Sequence, residues 1–208
     1  MTPHRMTPHR MRPHRLLAAL LFASLVAALA TPVAAQTTNY RVELVLFTHR
    51  DAASQPVAHW PAREPLPGTA NAIDLANPAA GFRALGTDAF TLRDAAERMR
   101  RSGRYDIVGH YVWEQPGLGE KAAQPVRIVG GKLAGQDVAQ VEGAVTLILG
   151  RYLHIRSDLL LRMPALTGEH HWNEVRVQER RRMRSRELHY LDHPLLGMLV
   201  QITPVDGS

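Results

Sequence analysis

The chain has 208 residues, with 25 Lys+Arg against 19 Asp+Glu, a net charge of +6 and a sequence pI near 10.3. That length suits a domain with a real hydrophobic core, and 45% hydrophobic against 21% charged residues is a globular rather than a disordered composition. With no cysteine anywhere, disulfide scaffolds, Cys-ligated zinc, iron–sulfur clusters and thiol catalysis are excluded, while the basic balance raises nucleic acid as a partner until the placement of the charge is considered.

Residues 1–15 read MTPHRMTPHRMRPHR, a pentapeptide written three times, so Met1, Met6 and Met11 are alternative starts. An apolar run of 15 residues follows, Leu16 to Ala30. As a helix it would span about 22 Å, short of the roughly 30 Å hydrocarbon core of a bilayer. Pro32 breaks it, and Val33-Ala34-Ala35 places small residues where a signal peptidase requires them. The expectation is a signal peptide, residues 1–35, cut after Ala35, with an uncleaved anchor as the alternative. No cysteine stands at the junction for lipid attachment, and no later stretch reaches membrane-spanning length. The leader takes four arginines and no acid with it, leaving 21 basic against 19 acidic residues in residues 36–208. Export also removes cellular nucleic acid from the expected partners.

In the remaining chain, Tyr40 to His49 alternates and then runs apolar, as a well-buried strand does. Residues 51–88 are rich in Pro, Ala, Gly and Asn and predict a long irregular loop carrying Trp60. Thr91 to Ser102 has helical spacing, with Leu92, Ala95, Ala96 and Met99 on one face. Thr91 is placed to cap this helix, Gly103 to end it, and Arg98, Arg100 and Arg101 lie in its last turn. Tyr105 to Gln115 predicts a strand in which Ile107, Gly109, Tyr111 and Trp113 oppose Val108, His110 and Val112. Val126 to Val129 predicts a short strand closed by Gly130-Gly131.

Val141 to Arg162 is the longest strand-like region. Unbroken from Ala144 it would reach about 63 Å, so a bend, bulge or hairpin near Gly150 is expected. Glu174 to Met183 and Leu196 to Pro204 complete about six strands, with Arg184 to Gly197 an irregular polar segment between them. One main helix among these strands predicts an α+β domain over residues 36–208, mostly antiparallel sheet, with 51–88 as a long loop insertion.

Enzyme motifs are missing: there is no G-x-S-x-G elbow, Walker loop, dinucleotide fingerprint or H-E-x-x-H pair. Glu43 and Glu114 form a conceivable glycosidase pair, against the simpler reading of two salt-bridged strand carboxylates. His170-His171 and the run His189-Tyr190-Leu191-Asp192-His193 invite a metal reading. Pro194 moves His193 off helical angles, however, and hydrogen bonding to loop backbone is the competing account. The expectation is therefore no cofactor and no metal.

The strongest local concentration of charge is Glu179-Arg180-Arg181-Arg182-Met183-Arg184-Ser185-Arg186-Glu187. On a strand, Arg180, Arg182 and Arg184 point one way and Arg181 and Met183 the other, giving a ladder of planar donors for carboxylates or phosphates. A solvated strand face is the plain alternative. Trp60, Trp113, Trp172, Tyr111 and Tyr152 would stack on sugar rings where exposed and belong to the core where buried.

Four separated strings now resemble one family. They are YRVELVLF at the first strand, HYVWEQP at 110–116, GRYLHIRSDLLL at 150–161 and RRMRSRELHYLDHPLLGMLVQITP at 181–204. Together, and in this order, they resemble CsiV, a family of periplasmic peptidoglycan-binding proteins of Gram-negative bacteria. The resemblance implies a non-catalytic wall-binding protein that assists peptidoglycan assembly, with a peptidoglycan synthase or its outer-membrane lipoprotein activator as partner. An envelope interaction scaffold, associated with the wall only indirectly, is the alternative. Stem-peptide carboxylates and amide-bearing sugars suit arginine forks and aromatic faces. The expected site gathers Arg181, Arg182, Arg184, His189, Tyr190, Asp192 and His193, with Trp113, Tyr152 and His154 nearby. A structural lock is the competing reading of the same string: Asp192 pairing Arg184 or Arg182, with His189 and Tyr190 fixing a tight turn.

Overall fold

Asn39–His49 forms strand β1, the middle of a five-stranded sheet. Its neighbours are antiparallel: β3 (Tyr105–Pro116) on one side and β9 (Leu196–Val205) on the other. Beyond β3 lies β2 (Arg83–Ala84), and beyond β9 the edge strand β8 (Leu188–Asp192). A strand covered on both faces has no solvent side, so β1 is apolar almost throughout. Val42, Leu44 and Leu46 enter the main core, while Val45 belongs to a second cluster on the other face. The computed structural model describes residues 37–51, 67–133, 135–164 and 172–205.

The second sheet is a four-stranded antiparallel meander of β4 (Val126–Gly130), β5 (Val141–Leu149), β6 (Leu153–Pro164) and β7 (Trp172–Met183). The long region expected to break near Gly150 does so as a hairpin, and β5 pairs directly with β6 from Leu149↔Leu153 to Val141↔Leu161. Alternation then sends Val145, Leu147, Ile155, Leu159, Leu161 and Val177 toward the first sheet. There they share one core with Leu44, Trp113, Met198, Val200 and Ile202.

The helix α1 (Arg93–Arg101) covers the outer face of the first sheet, where Leu92 and Ala96 pack on Val45, Ile107 and Leu199. It ends as expected: Gly103 takes φ +70°, a left-handed conformation that glycine adopts without steric cost. Its start differs from expectation. Leu92 occupies the cap position and Thr91 does not cap the helix with its side chain. The Glu43 carboxylate, reaching out from β1, takes the Leu92 N–H at 2.8 Å, the Thr91 N–H at 3.0 Å and the Thr91 hydroxyl. A nearly buried carboxylate is a stronger acceptor than a threonine hydroxyl, so the cap comes from the sheet.

Three further expectations need correction. The described residues hold nine strands rather than about six. Part of the segment read as irregular, Arg184 to Gly197, is β8, ordered by its ladder to β9 rather than by its own pattern. In β3 the register slips so that Leu46 faces Gly109 but Phe47 faces Ile107, leaving Val108 as a bulge. Ile107 thereby joins the helix-side cluster, while Tyr111 and Val108 pack with the main core. Of the expected loop, residues 52–66 with Trp60 lie outside the described residues. The rest carries β2 and a bridge from Ile73 to Val126.

Candidate functional site

A groove of about 460 Å³ opens at one end of the two-sheet stack. Its floor is apolar, made by Tyr40 at the start of β1, Leu149 and Leu153 flanking the β5–β6 turn, and Met183 at the end of β7. Its rim is polar, made by Arg151 and Tyr152 from that turn and Arg184, Ser185 and Glu187 from the β7–β8 turn. Tyr152 is 41% exposed. The Arg182 guanidinium lies over its ring, 3.8 Å from the centroid, and that of Arg151 lies 5.6 Å away. The β6–β7 register explains the approach, since it places Arg182 opposite His154, two residues beyond Tyr152. His154 is oriented locally, its Nδ1 lying 3.2 Å from the Tyr152 carbonyl oxygen.

The ladder of arginines is sorted by its partners. Arg180 and Arg156 both bind Glu120, from the β3–β4 connection, at 2.8 and 2.9 Å. Arg176 forms a two-pronged pair with Asp158, whose carboxyl is held below its usual range chiefly by that hydrogen bond. Arg184 faces Glu187 at 3.5 Å across the turn. Arg181 is exposed and lies on the opposite face of β7 from Arg180 and Arg182.

His189 closes the same turn by accepting the Arg184 N–H on Nε2 at 3.0 Å. Within the turn Arg186 takes φ +66°, and its N–H donates to Ile202 at 2.7 Å.

Tyr190, Asp192 and His193 form a separate group. Tyr190 projects from the outer face of the first sheet, where its ring stacks on Phe47 at 6.0 Å and 11°. Its hydroxyl donates to Asp192 Oδ1 at 2.6 Å. Burial, then the bond to Asp192, pushes the phenol well above its ordinary value. Asp192 lies 3.5 Å from His49 Nε2, and Tyr105 meets both Phe47 and His49 edge-on. The expected pairing of Asp192 with Arg184 or Arg182 is therefore corrected: its partners are Tyr190 and His49, which share its side of the sheet. His193 accepts the Leu195 N–H at 3.3 Å, and burial lowers its pKa against the opposing charges of Glu179 and Asp192.

The expected single site thus divides in two: Tyr152 and Arg184 line the groove, with Arg182 stacked on Tyr152 and His154 opposite Arg182 in the ladder, while Tyr190, Asp192 and His193 lie elsewhere. Trp113 is a correction as well. It is 0% exposed, in the main core, and its indole N–H donates to Gln115 at 2.7 Å, so it offers no face to a ligand. Tyr111 is half-buried and bonded to the Val129 carbonyl, and Trp172 donates to Glu174 at 3.1 Å. His170 and His171 lie outside the described residues.

Glu43 and Glu114 are each held by structural partners. Burial pushes the Glu43 carboxyl up, but bonds from His110, at 2.7 Å, Thr91 and Leu92 outweigh it and hold the group below its ordinary range. Glu114 is bridged by Arg41 at 3.0 Å and by Arg83, which overcome its own desolvation in the same direction. Among the described residues no three His, Asp or Glu side chains cluster as a metal site.

A family profile described as "Peptidoglycan-binding protein, CsiV" matches residues 16–205. The chain belongs to the CsiV family. Comparison with curated proteins and with solved structures returned no match. The family description names peptidoglycan as the ligand class, and the matched span includes every residue of the groove. Sequence reasoning named Tyr152, Arg182 and Arg184 in this CsiV chain but missed Arg151 and Tyr40. Arg151 adjoins Gly150 at a predicted chain reversal, a position that exposes its side chain and was a usable signal. Tyr40 opens a predicted strand and carried no such signal. His49 and Tyr105, at the ends of two predicted strands, were likewise unmarked as partners of Tyr190 and Asp192.

Proposed function

We propose that this CsiV-family chain is an exported, non-catalytic accessory protein that binds peptidoglycan at the Tyr152 groove and assists wall assembly in the periplasm. One observation carries the placement: an exposed tyrosine with a stacked guanidinium beside an apolar floor. Stacking holds the Arg182 fork at a fixed angle while its N–H edges stay available to acceptors. Wall polymers offer such acceptors as carboxylates and amide carbonyls. Arg181, Arg184 and His154 flank the groove in this reading, and His189 acts on it indirectly by shaping the β7–β8 turn. The 15-residue apolar run and the Val33-Ala34-Ala35 exit support export. A peptidoglycan synthase, or its outer-membrane lipoprotein activator, is the partner that this role requires.

The test is sedimentation of the purified protein with isolated sacculi. Co-pelleting above a non-binding control, lost in Arg182→Ala, is the expected result. Muropeptide release from the same sacculi would instead make the protein a hydrolase.

The alternative reading, an interaction scaffold, has one observation in its favour. Leu188 and Tyr190 are 49% and 42% exposed on β8, an edge strand whose outer face is open to a protein partner. That reading expects no pelleting of the purified protein, and pelleting only when envelope proteins are added back.

A further inference from the structure

Peptidoglycan carries two kinds of surface, glycan rings and stem peptides, and the groove is not neutral between them. Protein receptors commonly take a sugar ring on an open aromatic face. At Tyr152 the Arg182 guanidinium already lies on the ring at 3.8 Å, within van der Waals reach. A sugar stacking on that face has to displace it.

The charges point the same way. Arg156 and Arg180 share Glu120, and Arg176 is held by Asp158, so each of these three arginines away from the groove has a carboxylate partner. Beside the groove the balance changes. Among the described residues neither Arg151 nor Arg182 has a carboxylate partner, and Glu187 reaches only Arg184, at 3.5 Å. Of these two uncompensated guanidiniums, that of Arg151 lines the groove whose floor is Leu149, Leu153 and Met183, and that of Arg182 rests on the rim's Tyr152. Forks above an apolar floor fit a short chain that alternates carboxylates with methyl and methylene groups.

We infer that the groove reads the carboxylates of the stem peptide and not the glycan. This rests on the reading that the chain binds the wall directly at this groove.

The test compares intact sacculi with glycan strands stripped of peptide by an amidase. A soluble disaccharide–peptide is then titrated with its stem carboxylates free or amidated. Expected results are pelleting with intact sacculi, none with stripped glycan, and at least about tenfold weaker binding of the amidated ligand. Arg182→Lys keeps the charge but loses the planar fork, so it should weaken binding of the free-carboxylate ligand with an unchanged melting temperature. Equal retention of the protein on stripped glycan would overturn the stem-peptide inference and leave wall binding intact. Failure to pellet with intact sacculi would overturn the direct-binding reading itself. Undiminished binding by Arg182→Lys would remove the fork as the recognising group.

Discussion

The Glu43 carboxylate accepts the backbone N–H of Leu92 at 2.8 Å, tying the start of the only α-helix among the described residues to the central strand. The same carboxylate meets His110 Nε2 at 2.7 Å and takes both donors of Thr91. Its side chain is 3% exposed and Leu92 is buried, so the Leu92 N–H would be left without an acceptor if the carboxylate were removed.

Glu43→Ala should therefore destabilise the fold by about 3 kcal/mol, measured as a shift in the denaturant midpoint at unchanged slope. Glu43→Gln, which retains an acceptor, should lose less. The pH dependence follows from the depressed pKa of the folded carboxyl relative to its ordinary 4.5. Its contribution is complete above the unfolded value and is lost as pH falls through the lower folded one. Acid titration of the wild type should show this loss, and Glu43→Gln should flatten it.

Gly197→Ala tests the packing on the outer face of the first sheet. An added Cβ would stand 2.2 Å from the Phe47 ring, which faces Gly197 across the β1–β9 ladder and carries Tyr190. The expected cost is about 2 kcal/mol by thermal or denaturant unfolding, because the ring is fully buried and has little room to move. Combining it with Phe47→Leu should cost less than the two changes summed, since the smaller side chain relieves the clash.

His189→Ala should loosen the β7–β8 turn. Its loss leaves the Arg184 N–H without the acceptor it has at 3.0 Å, at a cost of about 1 kcal/mol. Binding to sacculi should weaken with it, because Arg184 and Glu187 form part of the groove rim. Unchanged binding together with lower stability would make the histidine purely structural.

Export predicts a defined N-terminus. Protein recovered from the periplasm should begin at Gln36 by mass spectrometry, whichever of Met1, Met6 or Met11 starts translation. An N-terminus within residues 1–15 on membrane-bound protein would indicate the uncleaved anchor instead.

How much of this was legible depended on how local the determining physics is. Alternation in Leu153, Ile155, Leu159 and Leu161 displays β6 directly, and the excessive length of an unbroken strand predicted the reversal at Gly150. Strand β8 was hidden because Leu191 is its only buried apolar side chain, and its order comes from pairing with β9. The Val108 bulge was equally hidden, since a one-residue slip leaves composition untouched while moving Ile107 to the other face.

The candidate site was half legible. Tyr152 and Arg182 were both named, yet they are thirty positions apart and only the β6–β7 register brings them together. Trp113 was misplaced because a strand residue next to Val112 suits either face until the opposing sheet is known. The capping role of Glu43 was invisible for a related reason: its partners Thr91 and Leu92 lie on a different element of the chain.

The most direct measurement of the central claim is the fraction of purified protein that co-sediments with isolated sacculi, compared between wild type and Arg182→Ala. Arg182 is exposed, so its truncation should change stability by less than about 0.5 kcal/mol. Wall binding through Arg182 predicts that wild type pellets, that the variant stays in the supernatant, and that both melt at the same temperature. Equal pelleting of the two proteins would contradict it.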